Sequence, residues 1–324
     1  MLTGTLFALA AGCLWGLVFV VPLLLPEYPP ALLSTARYLA FGLIALPLAL
    51  LDRARLRELS RADWLEALKL ALVGNLLYYV FLAAAIQRSG GPLPTVIIGT
   101  LPVVIAISAN LRDARRDGRL PWRRLAPSLG LIAAGIALVN QAELRHLGVS
   151  QPVDLGRHAL GAALAVAGVA CWTWYPLRNA DWLRAHPERS PRAWATAQGV
   201  ATLPLAAAGL AVLWVGSGLA GERFAMPFGP QPQRFIAWML ALGLLASWVG
   251  GLCWNEASQR LPTALAGQLI VFETLAALAY AFALRGSAPP LPTMAGVALL
   301  VAGVLWALRI KPEQPPEAAA GGPR

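Results

Sequence analysis

Runs of about twenty apolar residues recur along the entire chain, and this constrains the fold more than any other feature. A helix of that length rises about 30 Å, the thickness of the hydrocarbon core of a bilayer. Open sheet edges cannot face lipid, and the runs are far longer than the roughly ten-residue alternating strands of a membrane barrel, so helices are the one regular structure that fits. Of the 324 residues, 58% are hydrophobic and 13% charged, against roughly a quarter charged in a soluble domain. Lipid is the main solvent, and the fold class is an all-α polytopic membrane protein.

Charge clusters and Pro/Gly breaks delimit ten predicted helices, near residues 5–25, 31–51, 65–87, 92–111, 124–141, 157–178, 193–217, 234–255, 263–284 and 290–309. The first run has no basic segment before it and is too long for the apolar part of a signal peptide, so it reads as a retained helix. Residues 311–324 are rich in Pro, Ala and Gly and are expected to be a disordered tail.

Orientation follows from the basic residues. With these boundaries, nineteen Lys and Arg fall in loops and the tail on one side, among them Arg53, Arg55, Arg57, Arg61 and Lys69, and six on the other. The excess side is cytoplasmic, which puts both termini inside. The net charge of +10 therefore belongs to membrane topology and not to nucleic acid.

The chain also matches itself. Pro94 to Leu101 aligns with Pro262 to Leu269 at an offset of 168, and the same offset places Gly135 on Gly303. Gln87-Arg88 pairs with Gln259-Arg260, Thr35-Ala36-Arg37 with Thr196-Ala197-Gln198, and Trp15 with Trp172. Two repeats are expected, 1–142 and 157–310. Five helices is an odd number, so the second repeat enters the membrane from the opposite side, an inverted arrangement in which a central site can face either surface.

Several chemistries are excluded or disfavoured. The only lysines are Lys69 and Lys311, so there is no P-loop. Cys13, Cys171 and Cys253 lie in apolar segments without metal-ligand or disulfide spacing. His146, Asp154 and His158 share an outer loop without ligand spacing, so no metal and no cofactor is expected.

Leu14-Trp15-Gly16, Ala36-Arg37-Tyr38, Leu101-Pro102-Val103-Val104, Phe272-Glu273 and the Gly296 to Gly303 pattern carry a family likeness. With them the chain resembles the EamA-type transporters of the drug/metabolite transporter superfamily, in particular the bacterial inner-membrane members, over residues 3–309. The resemblance implies ten helices as two inverted five-helix repeats, and export or uptake of metabolites such as amino acids or drugs. Two positions depart from the pattern. Asn110-Leu111-Arg112 stands where an acidic residue often follows helix 4, and Thr274 where proline usually follows the glutamate.

Glu273 lies near the middle of predicted helix 9, where a carboxylate costs on the order of 3 kcal/mol unless it faces protein or water. It either binds and releases a proton as the cavity changes sides, or joins helices through hydrogen bonds. Arg37 lies about six residues into helix 2. It either snorkels to the surface or turns inward to grip the carboxylate of an anionic or zwitterionic substrate. Trp15, Trp172, Trp174, Tyr78, Tyr79, Asn75 and Gln268 are aromatic or polar groups inside apolar spans, suited either to lining a cavity or to packing and interhelical hydrogen bonds. Pro102, Gly99 and Gly267 permit kinks or close backbone approach. Trp182 and Trp194 read as interfacial anchors.

These features favour a secondary transporter working by alternating access, with a small-molecule substrate, proton coupling through Glu273 and room for a homodimer. An intramembrane enzyme acting on lipid needs convergent nucleophiles, acids or metal ligands, and one central carboxylate with no central histidine does not provide them. A scaffold or sensor without transport is the other alternative.

Overall fold

The computed structural model describes residues 2–89, 97–112, 120–146, 155–219, 224–286 and 288–310. All regular structure among them is helical, without strands. The helices are α1 (Leu2–Leu24), α2 (Pro30–Leu51), α3 (Arg53–Arg57), α4 (Arg61–Leu70), α5 (Tyr78–Ser89), α6 (Leu101–Arg112), α7 (Trp122–His146), α8 (Leu155–Ala185), α9 (Pro191–Leu219), α10 (Pro232–Ala241), α11 (Gly250–Arg260), α12 (Thr263–Leu269), α13 (Val271–Arg285) and α14 (Leu291–Leu308). Two π-helical segments, Ala71–Leu77 and Leu242–Val249, join α4 to α5 and α10 to α11 into continuous rods.

Among the described residues, eight helical stretches are long and apolar enough to cross a membrane, and two apolar helices, Leu101–Arg112 and Leu291–Ala307, are shorter. Residues 92–96 of predicted helix 4, Asp154, the side chains of His146 and His158, and the tail from 311 lie outside what is described.

Local signals set the helix ends. Pro30 opens α2 and Pro232 opens α10, positions where the missing N–H costs nothing. Ser60 and Asp63 form a reciprocal capping box at the start of α4, and Gly286, at φ 62°, closes α13 in the left-handed conformation.

Several helices run past their expected ends, α7 to His146 and α11 to Arg260 among them, and two differences are larger. α8 runs on to Ala185 instead of stopping near 178, because its polar residues find partners: Asn179 is wholly buried and Arg184 donates to the carbonyl oxygens of Ser258 and Leu261. Predicted helix 9 is broken at Ile270 into α12 and α13. A comparable turn at Gly99 and Thr100 precedes α6.

The packing is dominated by α7 against α14, α2 against α9, α1 against α13 and α11, α8 against α5, and α6 against α12, each pairing the first half of the chain with the second. A Cβ on Gly135 would sit 2.7 Å from the Gly296 carbonyl oxygen, and one on Gly303 2.9 Å from that of Ser128. The same two glycines meet Leu300 and Ile132 respectively. Shifting residue numbers by 168 turns one set of contacts into the other. Without side chains at these points the backbones of α7 and α14 come into direct contact.

Candidate functional site

Both π segments contribute to the wall of one cavity. A π turn widens the helix and turns its side chains, which is why such segments recur at functional sites. Here they bring Asn75 from the first, and Ala246 and Ser247 from the second, to the wall of one cavity. The Trp15 indole N–H donates to the Ala246 carbonyl oxygen at 2.9 Å and so fixes α1 against the second π segment.

Six of the residues singled out in the sequence line this cavity: Trp15, Arg37, Asn75, Tyr78, Trp172 and Glu273. Tyr79 stands behind Arg37, its ring centroid 5.4 Å from the guanidinium carbon, with the Tyr38 ring at 4.8 Å. Trp174 packs against the core as a partly buried side chain. Gln268 lies elsewhere. Its Oε1 is 2.8 Å from the Ser128 hydroxyl, which also reaches the Gly303 carbonyl oxygen at 2.8 Å. One hydroxyl proton serves one acceptor, so both contacts are met when the Gln268 amide is turned over and its N–H donates to Ser128. Gln268 thus joins α12 to α7 and α14, away from the cavity.

Arg37 does not snorkel. It is 6% exposed, and its Nε donates to the Ser247 Oγ at 3.1 Å. Glu273 is 8% exposed on the first turn of α13, and its Oε2 has no hydrogen-bond partner among the described residues. The Trp172 Nε1 is a donor in the same condition. Arg37 and Glu273 line the same cavity, yet none of the ion pairs among the described residues joins them.

Aromatic rings form one wall. Tyr78, Trp172 and Tyr175 stack in sequence, with centroids 4.7 and 5.1 Å apart, and Trp15 meets Trp172 edge to face at 5.4 Å. The Tyr175 hydroxyl donates to Gln198 Oε1 at 3.0 Å. Tyr38, Tyr175, Gln198, Ser247 and Asn255 line the cavity without having been chosen as site residues. Tyr175 was accessible to reasoning, since it follows Trp172 by three residues on one helix face. Ser247 was not, because its direction depends on the π segment. The cavity leaves about 40 Å³ for the centres of water-sized molecules, room for roughly three waters, so anything larger enters only if the walls move.

Trp182 and Trp194 are not interfacial anchors. They are 7% and 1% exposed and stack on each other at 3.5 Å, joining α8 to α9. Asp181 and Arg184 flank Trp182 and Arg192 lies two residues before Trp194, and those charges gave them the look of a membrane boundary.

Residues 2–141 match the profile of the EamA-like transporter family. Over 315 residues the chain is 55% identical to the inner membrane protein YtfF of Escherichia coli (strain K12), an alignment covering 97% of this chain and 98% of that protein. The chain belongs to the EamA-like transporter family. As a member of this family, within the drug/metabolite transporter superfamily, it is a membrane transporter, multi-pass in the inner membrane. One solved crystal structure, 16% identical, superposes with a TM-score of 0.68 over 94% of this chain and 96% of its own length, a likeness of fold alone. The EamA-like assignment rests on sequence, and the helical architecture agrees with it.

Proposed function

We propose that this protein is a secondary transporter that moves a small anionic or zwitterionic metabolite or drug across the bacterial inner membrane by alternating access. In this reading all ten predicted helices cross, residues 1–142 and 157–310 are inverted repeats, and both termini are cytoplasmic. The α7–α14 contacts that exchange under the 168-residue shift support a pseudo-twofold axis between the repeats. The paired π segments and the paired breaks before α6 and α13 support it as well.

The observation that carries the functional reading is the pair of opposite charges, Arg37 and Glu273, buried in one cavity and not joined to each other. Arg37 offers a planar fork to a carboxylate. Glu273, which lines the cavity and has one oxygen without a hydrogen-bond partner among the described residues, takes the proton or a cationic group of the substrate. The aromatic wall holds apolar parts by stacking. Occupation of both charges in turn, and release when the cavity changes sides, couples the two movements.

Flux into proteoliposomes tests this. Anionic and zwitterionic solutes are expected to accumulate over protein-free vesicles when a pH gradient is imposed. A scaffold or sensor moves none of them with or without the gradient.

A further inference from the structure

A second, lower cavity lies at the loops that precede α4 and α9, with about 260 Å³ for water-sized centres, lined by Trp182 and Trp194 and by the exposed Glu58 and Glu188, through which it reaches solvent. Two hydrogen bonds and one ring stack link the linings of the two cavities. Gln198 belongs to the upper cavity, and its Nε2 donates to the Asn179 Oδ1 at 3.1 Å. The same oxygen accepts the Trp194 indole N–H at 2.9 Å, and Trp194 stacks on Trp182, which belongs with it to the lower cavity. A route from centre to surface therefore passes through Asn179 and two stacked indoles.

These groups are held by two kinds of bond. Those among Gln198, Asn179 and Trp194 lie within the second half of the chain. The Trp182 indole N–H instead donates at 2.8 Å to the Asp63 Oδ1, on α4 of the first half. Ion pairs cross the same boundary: Glu66 with Arg178 and Asp52 with Arg192 at 3.1 Å, with the acid from the first half, and Arg112 with Asp181 at 2.9 Å, with the acid from the second. Separating the halves on this side breaks every one of these crossing contacts and leaves the bonds of Asn179 intact.

We infer that the Trp182–Trp194 layer is the inner gate of the transport path, that Asp63 latches it shut by holding Trp182 across the two halves, and that the lower cavity is the cytoplasmic vestibule onto which it opens. The inference rests on the transporter reading for its purpose and on the geometry for its place. Trp182 is the part that moves, since its partner lies on the opposite half.

The test is thiol labelling of the full-length protein in sealed membrane vesicles. Cys13, Cys171 and Cys253 are replaced by alanine, and Ser247→Cys puts one thiol in the central cavity. A small, charged, membrane-impermeant methanethiosulfonate is then applied to each side in turn. Trp182→Ala is expected to raise the labelling rate from the Arg57 side by about tenfold or more, as expected when the closed state loses its latch and its plug, without raising the rate from the other side. Trp182→Phe keeps the stack and loses the N–H to Asp63, and gives a smaller rise on the same side. It also decides the matter if the alanine variant does not reach the membrane. Rates equal to the parent for Trp182→Phe, or equal increases from both sides, overturn the gate. Labelling needs no transported solute, so absence of flux from the wild-type protein counts against the transporter reading and not against the gate.

Discussion

Arg37 and Glu273 face one cavity from α2 and α13, each more than nine-tenths buried, and are not paired with each other. A direct ion pair would satisfy both and leave little for a ligand. Separation instead leaves the guanidinium held by a single bond to Ser247 and two aromatic faces, with Glu273 Oε2 free. The substrate carboxylate is expected to take the remaining guanidinium donors. Arg37→Ala should therefore raise KM for a carboxylate substrate by roughly ten- to a hundredfold, the equivalent of the about 1.5–3 kcal/mol that hydrogen bonds to charged groups contribute. Arg37→Lys, with its charge kept and its fork lost, should recover only part of this. Initial-rate flux in proteoliposomes measures both.

Gln268 gives the opposite expectation. It bonds Ser128 and lies outside the cavity. Ser128→Ala and Gln268→Leu should lower stability by about 0.5–2 kcal/mol, the range of interhelical hydrogen bonds in membranes, and leave KM within about twofold. Thermal unfolding in detergent, set beside flux, separates the two effects.

Gly74 in the first π segment admits the Tyr175 ring so closely that an added Cβ would lie 2.2 Å from it. Tyr175 is stacked on Trp172 and bonded to Gln198, so it has little freedom to withdraw. Gly74→Ala is expected to cost about 1–3 kcal/mol by overpacking, read as a lower Tm in detergent, and to lower flux by displacing the aromatic wall.

The proposed orientation predicts which loops meet which compartment. A cysteine at Arg57, in the loop carrying the basic excess, should react with impermeant reagent only from the cytoplasm, and one at Arg234 only from the other side. Both positions reacting from one side contradict the assigned threading.

Much of this was legible from residue order alone. Apolar runs revealed the helices because lipid imposes one length scale on all of them, and Arg37 and Glu273 stood out because charge at membrane depth needs a reason. Other features depend on three-dimensional context. The π segments that aim Asn75 and Ser247 carry no periodic signature, since a single widened turn leaves the apolar pattern intact. Trp182 and Asn179 sat beside charges and resembled a loop, although Asp63 of the first half bonds Trp182 and Asn255, far along the same half, bonds Asn179. Gln268 resembled Asn75 in sequence, a polar group in an apolar span, and only packing separates a ligand-facing amide from one that ties helices together.

The central claim is that Glu273 links solute movement to proton movement. A pH-sensitive dye enclosed in proteoliposomes, with substrate added outside, reads that link directly. Wild-type protein should move protons in step with solute, whereas Glu273→Gln, folded by size-exclusion and thermal stability, should show no substrate-dependent change in lumenal pH. Proton movement of wild-type size in Glu273→Gln would contradict the account.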